Sequence, residues 1–299
     1  MNELCRKIIP PLTSALHKGQ IGRICIVGGC EAYTGAPYFA GIAALRLGAD
    51  LVHIMCTPCA AIPIKCYSPD LMVLPILCPE KFNEFHEWIH KMHCIVFGPG
   101  LGRDPKNLKI VAEWVNIAKE NNIPVIIDAD GMFLVTENPS LIKGYQDAIL
   151  TPNVIEFERL YHALEDVKPQ RPCTDLEIIT LSKNLGCSIV CKGQVDTICT
   201  AGHVLKCTAK GSNRRVGGQG DILSGSLGLF AHWAKSSREL STDIPYQSIA
   251  GYAACSVTKC ANSLTFDEKG RSMITSDMIA KLYPSLLRFI AEEDESANY

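Results

Sequence analysis

The chain reads as an α/β protein with a mainly parallel sheet covered by helices on both faces. Short apolar runs of strand length alternate with segments whose apolar residues recur at helical spacing, the pattern of parallel strands joined by crossover helices. Several of these runs end in glycines or acids, so their loops gather along one edge, where open sheets place their sites. Nothing in the 299 residues repeats internally or reads as a low-complexity linker, so residues 1–299 are expected to form one domain around a continuous core.

After an amphipathic N-terminal piece, Arg23–Gly29 (RICIVGG) reads as a buried strand closed by two glycines, and alanine-rich Gly35–Leu47 as a helix stopped at Gly48. The loop between them, Cys30–Pro37, is either a ligand border or plain helix initiation at Pro37. Asp50–Cys56 and Leu71–Leu77 are further strands, and Glu80–Met92 is a helix with Phe82, Phe85, Ile89 and Met92 on its core side. Cys94–Val96 leads into FGPGLGRD (Phe97–Asp104), a second glycine-rich turn after a strand, backed by a helix marked by Leu108, Val111, Val115 and Ala118. Pro124–Asp130 (PVIIDAD) is a strand ending in Asp128 and Asp130, for which catalysis stands against helix capping and solvation.

Ala148–Leu150 enters TPNVIEFER, where Asn153 and Glu156 have capping-box spacing that accounts for both without a ligand, and Thr174 with Glu177 repeats that spacing. Ser188–Cys191 is a strand, and Thr197–Thr200 with His203–Thr208 makes a β-hairpin about Ala201-Gly202. The rest is helical: Ile222–Lys235, Tyr246–Asn262, and a last helix with Ile279, Leu282, Leu286 and Phe289 on one side. Residues Glu292–Tyr299 are acidic and polar enough to fray.

Gly211–Asp221 (GSNRRVGGQGD) carries the clearest chemistry. Gly217, Gly218 and Gly220 bring main-chain N–H groups close to a ligand, and the helix start behind them adds unpaired donors and partial positive charge. Such a place suits a phosphate. Asp221 beside it is a poor phosphate ligand but a reasonable acceptor for the proton of a hydroxyl attacking phosphorus. A tight connection with Asp221 as an ordinary N-cap fits the same residues. Neither the dinucleotide fingerprint GxGxxG nor the lysine-bearing GxxxxGK[ST] loop occurs in the right context.

A formal net charge of -2 without runs of like charge gives no footing for nucleic acid or anionic membranes, so small-molecule partners are expected. The 15 cysteines are odd in number and scattered in apolar runs, which favours a reducing compartment and a cytoplasmic address. One CxxC, Cys56–Cys59, lacks a second pair at zinc-ligand spacing and is read as a loop with two thiols, so no metal ligand is assigned. No secretion signal, transit peptide or membrane-spanning stretch is legible.

With these motifs collected, the sequence resembles the ribokinase-like superfamily and, within it, the ATP-dependent NAD(P)H-hydrate dehydratases. The resemblance runs through RICIVGG, YTGAP, FGPGLGRD, PVIIDADG, LTPNVIEFERLY, CKGQVD, GSNRRVGGQGDILSGSLG and GRSMITSDMIA, in the family's order. It implies a three-layer αβα sandwich, ribokinase-like, that uses ATP to dehydrate the S-epimers of NADH hydrate and NADPH hydrate, with release of ADP and phosphate. It also implies a magnesium ion on the phosphates, and relatives that self-associate make a homo-oligomer an expectation. By the family pattern ATP contacts Lys192, Gly193, Gln194, Val195 and Asp196, and also Gly211, Ser212, Asn213, Arg214, Arg215, Val216, Gly217, Gly218, Gln219 and Gly220. The damaged cofactor contacts Gly100 and Gly102 of the GPGLG turn, then Asn153, Val154, Ile155, Glu156, Phe157, Glu158 and Arg159, and Asp221. Asp221 matches the catalytic acid, with Gly218 and Gly220 steadying the transferred phosphoryl group. KGQVD departs from the more usual KGERD at Gln194 and Val195, and the NVIEFER and GSNRRVGGQGD versions look like those of the eukaryotic, ATP-using branch. The alternative within the same fold is a small-molecule kinase that releases a phosphorylated product.

Overall fold

The computed structural model describes residues 1–237, 240 and 242–291, and orders them about one sheet. Its strands are β1 (Arg23–Val27), β2 (Leu51–Met55), β3 (Met72–Leu74), β4 (Cys94–Phe97), β5 (Val125–Ile127), β6 (Ala148–Leu150), β7 (Ser188–Cys191), β8 (Asp196–Thr200) and β9 (His203–Cys207). They lie in the order β3-β2-β1-β4-β5-β6-β7-β8-β9. Pairing is parallel from β3 to β7 and antiparallel across β7-β8 and β8-β9. The order reverses between β1 and β4, the kind of switch point at which crossovers leave toward opposite faces and open a crevice.

The helices are α1 (Asn2–Lys7), α2 (Gly35–Leu47), α3 (Pro58–Tyr67), α4 (Glu84–Ile89), α5 (Pro105–Glu120), α6 (Asp130–Glu137), α7 (Val154–Glu165), α8 (Asp175–Leu185), α9 (Gln219–Ser236), α10 (Tyr246–Lys269), α11 (Thr275–Ile279) and α12 (Leu282–Ala291). Side-chain alternation along each strand divides the core in two. Ile24, Ile26, Val52, Ile54 and Val96 pack with residues of α2, α9 and α10. Cys25, Val27, Ile95, Phe97 and Val125 pack on the other face with residues of α5, α7 and α8. Both faces are thus buried by helices, which is why these strands read as continuous apolar runs.

Local signals set most boundaries. Gly48 ends α2 at φ 118°, and Asp104 starts α5 by accepting from the Lys106 and Asn107 amides at 2.8 and 3.3 Å, with Pro105 next in line. Asn153 and Thr174 each sit in a formed capping box, with Glu156 and Glu177 as partners.

Three expectations change. The helix read over 80–92 is a 3-10 turn at Pro79–Lys81 followed by the short α4, although Phe85, Ile89 and Met92 do enter the core. The strand read to Asp130 stops at Ile127, because Asp128 leaves the sheet and Asp130 begins α6. The last helix is two, α11 and α12, so Ile279 and Leu282 share no helix; the side chain of Phe289 and residues 292–299 lie outside what is described. The CxxC straddles a helix start: Cys56 is buried before Thr57 and Pro58 begin α3, its thiol pushed up to about 12 by burial, while Cys59 is exposed.

Helix α9 follows the hairpin and returns across the middle of the sheet against α2, α10 and β4. Its approach to α2 is so close that a Cβ at Gly225 would stand 1.9 Å from the Ala40 carbonyl oxygen. That approach delivers the start of α9 to the edge where β4, β5, β6 and β7 end.

Candidate active site

Four strand ends and one helix start meet at this edge. After β5 comes Asp128, 2% exposed; its Oδ1 accepts from Lys192 Nζ at 2.7 Å and from Thr151 Oγ1 at 2.7 Å. Thr151 follows β6 and Lys192 follows β7, so one carboxylate oxygen ties three neighbouring strand ends together. Glu156 Oε2 lies 3.9 Å from the Lys192 ammonium while accepting from the Asn153 amide at 2.8 Å. Burial would drain the Lys192 ammonium of its proton, but the charges of Asp128 and then Glu156 outweigh it and hold the group above its ordinary range.

The glycine-rich stretch arrives from the opposite side. Gly218 takes the N-cap position of α9 at φ 95°, where an added Cβ would meet Phe39 at 2.8 Å and Thr275 at 2.9 Å. Thr275 Oγ1 donates to the Gly217 carbonyl at 2.5 Å, while the α-carbon of Gly217 faces open space. A Cβ at Gly220 would stand 3.7 Å from the Lys192 ammonium, which puts that cation directly beneath the turn. Asp221 lies in the first turn of α9 and not at its cap; burial first, and the charge of Asp128 second, push its carboxyl up to about 7 against the pull of Lys192. A group poised there exchanges protons near neutrality.

The neighbouring residues divide into those that build the site and those that stay open. Asp196 is spent on its own turn: Oδ1 accepts from the Gly193 amide at 2.9 Å and Oδ2 pairs with Lys259 at 2.9 Å. Lys259 also donates to the Gln194 carbonyl at 2.8 Å, and the Gln194 and Val195 side chains are exposed. Asn262, one helical turn along α10, accepts from the Ser212 amide at 2.5 Å beside Gly211. Gln219 Nε2 donates to the Arg214 carbonyl at 3.2 Å; Asn213 and Arg215 are exposed and Val216 is half-buried. Arg214 Nε is buried with no hydrogen-bond partner among the described residues.

On the other side of Glu156 the GPGLG turn packs against the loop after β1. The Gly29 amide donates to the Gly100 carbonyl at 3.1 Å, and a Cβ at Gly100 would press on the Tyr33 carbonyl at 2.8 Å. Asp130 neither caps α6 nor faces bulk water alone: it accepts from the Gly102 amide at 2.9 Å and pairs with Arg103 at 3.2 Å. A cleft of about 490 Å³ opens here between α6 and α7, lined by Arg103, Asp130, Phe133, Glu156 and Arg159. Within the NVIEFER segment Ile155 is exposed, Val154 half-buried, and Glu158 paired with Arg171. Phe157 is fully buried and stacked on Tyr161 at 5.8 Å, so its ring belongs to the core and has no surface to offer a ligand.

Thr151, Lys259, Asn262, Thr275 and Phe39 were not singled out from the sequence. Thr151 and Thr275 lie inside conspicuous motifs, TPNVIEFER and GRSMITSDMIA, but Lys259 and Asn262 are ordinary polar residues of a helix whose site-facing side only packing reveals. Among the described residues no group of three or more His, Cys, Asp and Glu is placed to hold a metal.

The fold is shared widely. A Bacillus subtilis ADP/ATP-dependent NAD(P)H-hydrate dehydratase co-crystallised with ATP/Mg2+ superposes with a TM-score of 0.73 at 20% identity, covering 97% of both chains. A Pyrococcus horikoshii hydroxyethylthiazole kinase gives 0.63 at 14% identity, covering 96% of this chain and 92% of its own. Sequence likeness is far stronger to proteins named ATP-dependent (S)-NAD(P)H-hydrate dehydratase. The human one is 47% identical over 283 residues, 94% of this chain and 82% of that protein, and the Danio rerio one 49% over 282 residues, 93% and 86%. The family model described as NAD(P)H-hydrate dehydratase matches residues 24–284, a span that takes in every strand end and the helix start of this site. An acid beside a glycine turn, gathered with a lysine at the ends of parallel strands, therefore has its family: the chain belongs to the NAD(P)H-hydrate dehydratases.

Proposed function

We propose that this protein dehydrates the S-epimers of NADH hydrate and NADPH hydrate at the expense of ATP, restoring the reduced cofactor and releasing ADP and phosphate. The observation that carries the reading is Asp221, held with a carboxyl near 7 in the first turn of α9, directly after a glycine turn where no side chain caps the helix start among the described residues. In this role Asp221 takes the proton of the substrate's ring hydroxyl, so that its oxygen attacks the terminal phosphorus in line. The main-chain N–H groups of Gly217–Gly220 and the N-terminal dipole of α9 hold the charge that spreads over the transferred phosphoryl group. ATP supplies that group and so converts hydroxide, a poor leaving group, into phosphate; the ring nitrogen pushes it out and the neighbouring carbon yields a proton.

The residues present suit a polyphosphate. Arg214 Nε is a buried donor lacking a partner among the described residues, and the cradle at Gly217 is open. Magnesium is expected on the phosphates, held there by phosphate oxygens and water. Asp128 and Asp130, the two acids at the end of PVIIDAD, are already committed to Lys192 and Thr151 and to the GPGLG turn. Gly100, Gly102 and the cleft at Arg159 are the proposed contacts for the rest of the substrate. The free cysteines, most of them buried, favour a cytoplasmic setting, and among the described residues no helix is long and apolar enough to cross a membrane.

The test is incubation with synthetic NADH hydrate and ATP, following the near-ultraviolet absorbance of reduced nicotinamide together with free phosphate. Recovery of absorbance with one phosphate per turnover is expected, and Asp221→Asn is expected to bind ATP yet turn nothing over. A stable phosphorylated product would instead establish a kinase of the same fold, and unchanged turnover in Asp221→Asn would remove the base assignment.

A further inference from the structure

Proton transfer by Asp221 explains its own place in the site but not the buried charges behind it. Asp128 is 2% exposed and the Lys192 side chain 20% exposed, and their 2.7 Å contact is backed by the hydroxyl of Thr151 on the same carboxylate oxygen. Taking such a pair out of water costs about as much as the pair regains, so fold stability gives little reason for it. Its placement gives a better one. The ammonium lies 3.7 Å from where a Cβ of Gly220 would be, next to Asp221 in the chain. Among the described residues the charges that act on Asp221 are Asp128 from the end of β5 and, against it, Lys192 from the end of β7, with Glu156 of α7 3.9 Å from the lysine; in the first turn of α9 Asp221 is the sole acid.

We propose that Asp128 and Thr151 are positioning residues that clamp the Lys192 ammonium beneath the glycine turn, where Asp128 and Lys192 act on Asp221 as opposed charges and set how readily it takes a proton. The carboxylate pair and the ammonium work against each other. Asp128 makes Asp221 a stronger base by repulsion, while Lys192 keeps it from holding the proton once taken. Thr151 fixes the angle at which Asp128 holds the lysine, because it occupies the same oxygen from the neighbouring strand end. This inference rests on the dehydratase reading only in calling Asp221 the base.

Opposite signs make the test. Carbon-13 labelling of aspartate lets the Asp221 titration be read by NMR on the substrate-free protein, with Asp221→Asn identifying the resonance. Asp128→Asn is expected to move the midpoint, and the acid limb of kcat/KM, down by about one pH unit, and Lys192→Met to move both up by about one. The double variant returns the midpoint toward the parent's value and, leaving neither an Asp128 carboxylate nor a Lys192 ammonium without the other, is the variant to read where one of the single variants does not fold. Thr151→Val lowers kcat and Thr151→Ser restores it. Shifts of the same sign in the two single variants, or none, would overturn the inference; so would a Thr151→Ser variant as slow as Thr151→Val. The titration needs no turnover, so it decides this inference separately, and turnover of NADH hydrate by the unmutated chain decides the reading beneath it.

Discussion

Substituting Gly225 by alanine tests whether the contact between α2 and α9 sets the position of the helix start that carries Asp221. Alanine in a helix interior is favoured over glycine by about 1 kcal/mol, so at a roomy site the variant would be the more stable protein. Here the added methyl would stand 1.9 Å from the Ala40 carbonyl oxygen and 2.6 Å from its carbon, about 1.5 Å inside ordinary contact at 3.4 Å. Both atoms are backbone of α2 and no rotamer relieves them, so the two helices must part. Overpacking of that kind costs about 1–3 kcal/mol or more, enough to reverse the propensity gain. A net loss of about 2 kcal/mol corresponds to a fall of roughly 3 °C in Tm for a chain of 299 residues. Asp221 lies one helical turn before Gly225, so kcat is expected to fall more than tenfold even where the variant is fully folded. Thermal unfolding and steady-state kinetics check both. Gly35→Ala, whose methyl would meet only Phe39 at 3.7 Å, is the roomy comparison for stability. A Gly225→Ala protein with a Tm at or above the parent's would refute the argument that this approach positions the site.

Asp221 also links the proposed base to stability. Its folded carboxyl is raised to about 7 from 3.8, so the neutral acid is the form the fold prefers, and the stability it contributes is present below about pH 4 and lost as pH rises through 7. Asp221→Asn is therefore expected to raise the urea midpoint at pH 8 and leave it unchanged at pH 4; a lower midpoint at pH 8 would contradict the burial argument. For Phe157, fully buried against Tyr161, truncation to alanine is expected to cost about 3–5 kcal/mol, while Phe157→Leu keeps KM within a factor of two; a large KM change in a well-folded Phe157→Leu would mean that the ring reaches the substrate after all.

Much of this architecture was legible in the residues. RICIV, CIVF, VII and SIVC are apolar runs too short for helices, and the glycines, prolines and capping boxes that bound the intervening segments act within a few residues of themselves. Gly218 and Asp221 stood out for the same reason, since a turn that needs a positive φ and an acid that follows it are adjacent in the chain. What the residues left open was how groups far apart in sequence are spent. Asp128 and Asp130 looked alike at the end of PVIIDAD, yet one anchors Lys192 and the other ties the GPGLG turn, because the sheet brings β6 and β7 to the first and α6 faces the second toward Gly102. Asp196 and Phe157 sat in motifs that suggested ligand contact, and packing gave the one to Lys259 and the other to the core. Hydrogen-bond patterns along a strand or a helix start depend on near neighbours and can be read from them. The partner of a buried charge depends on which strand ends become adjacent across the sheet, and that is settled only when the whole chain has folded.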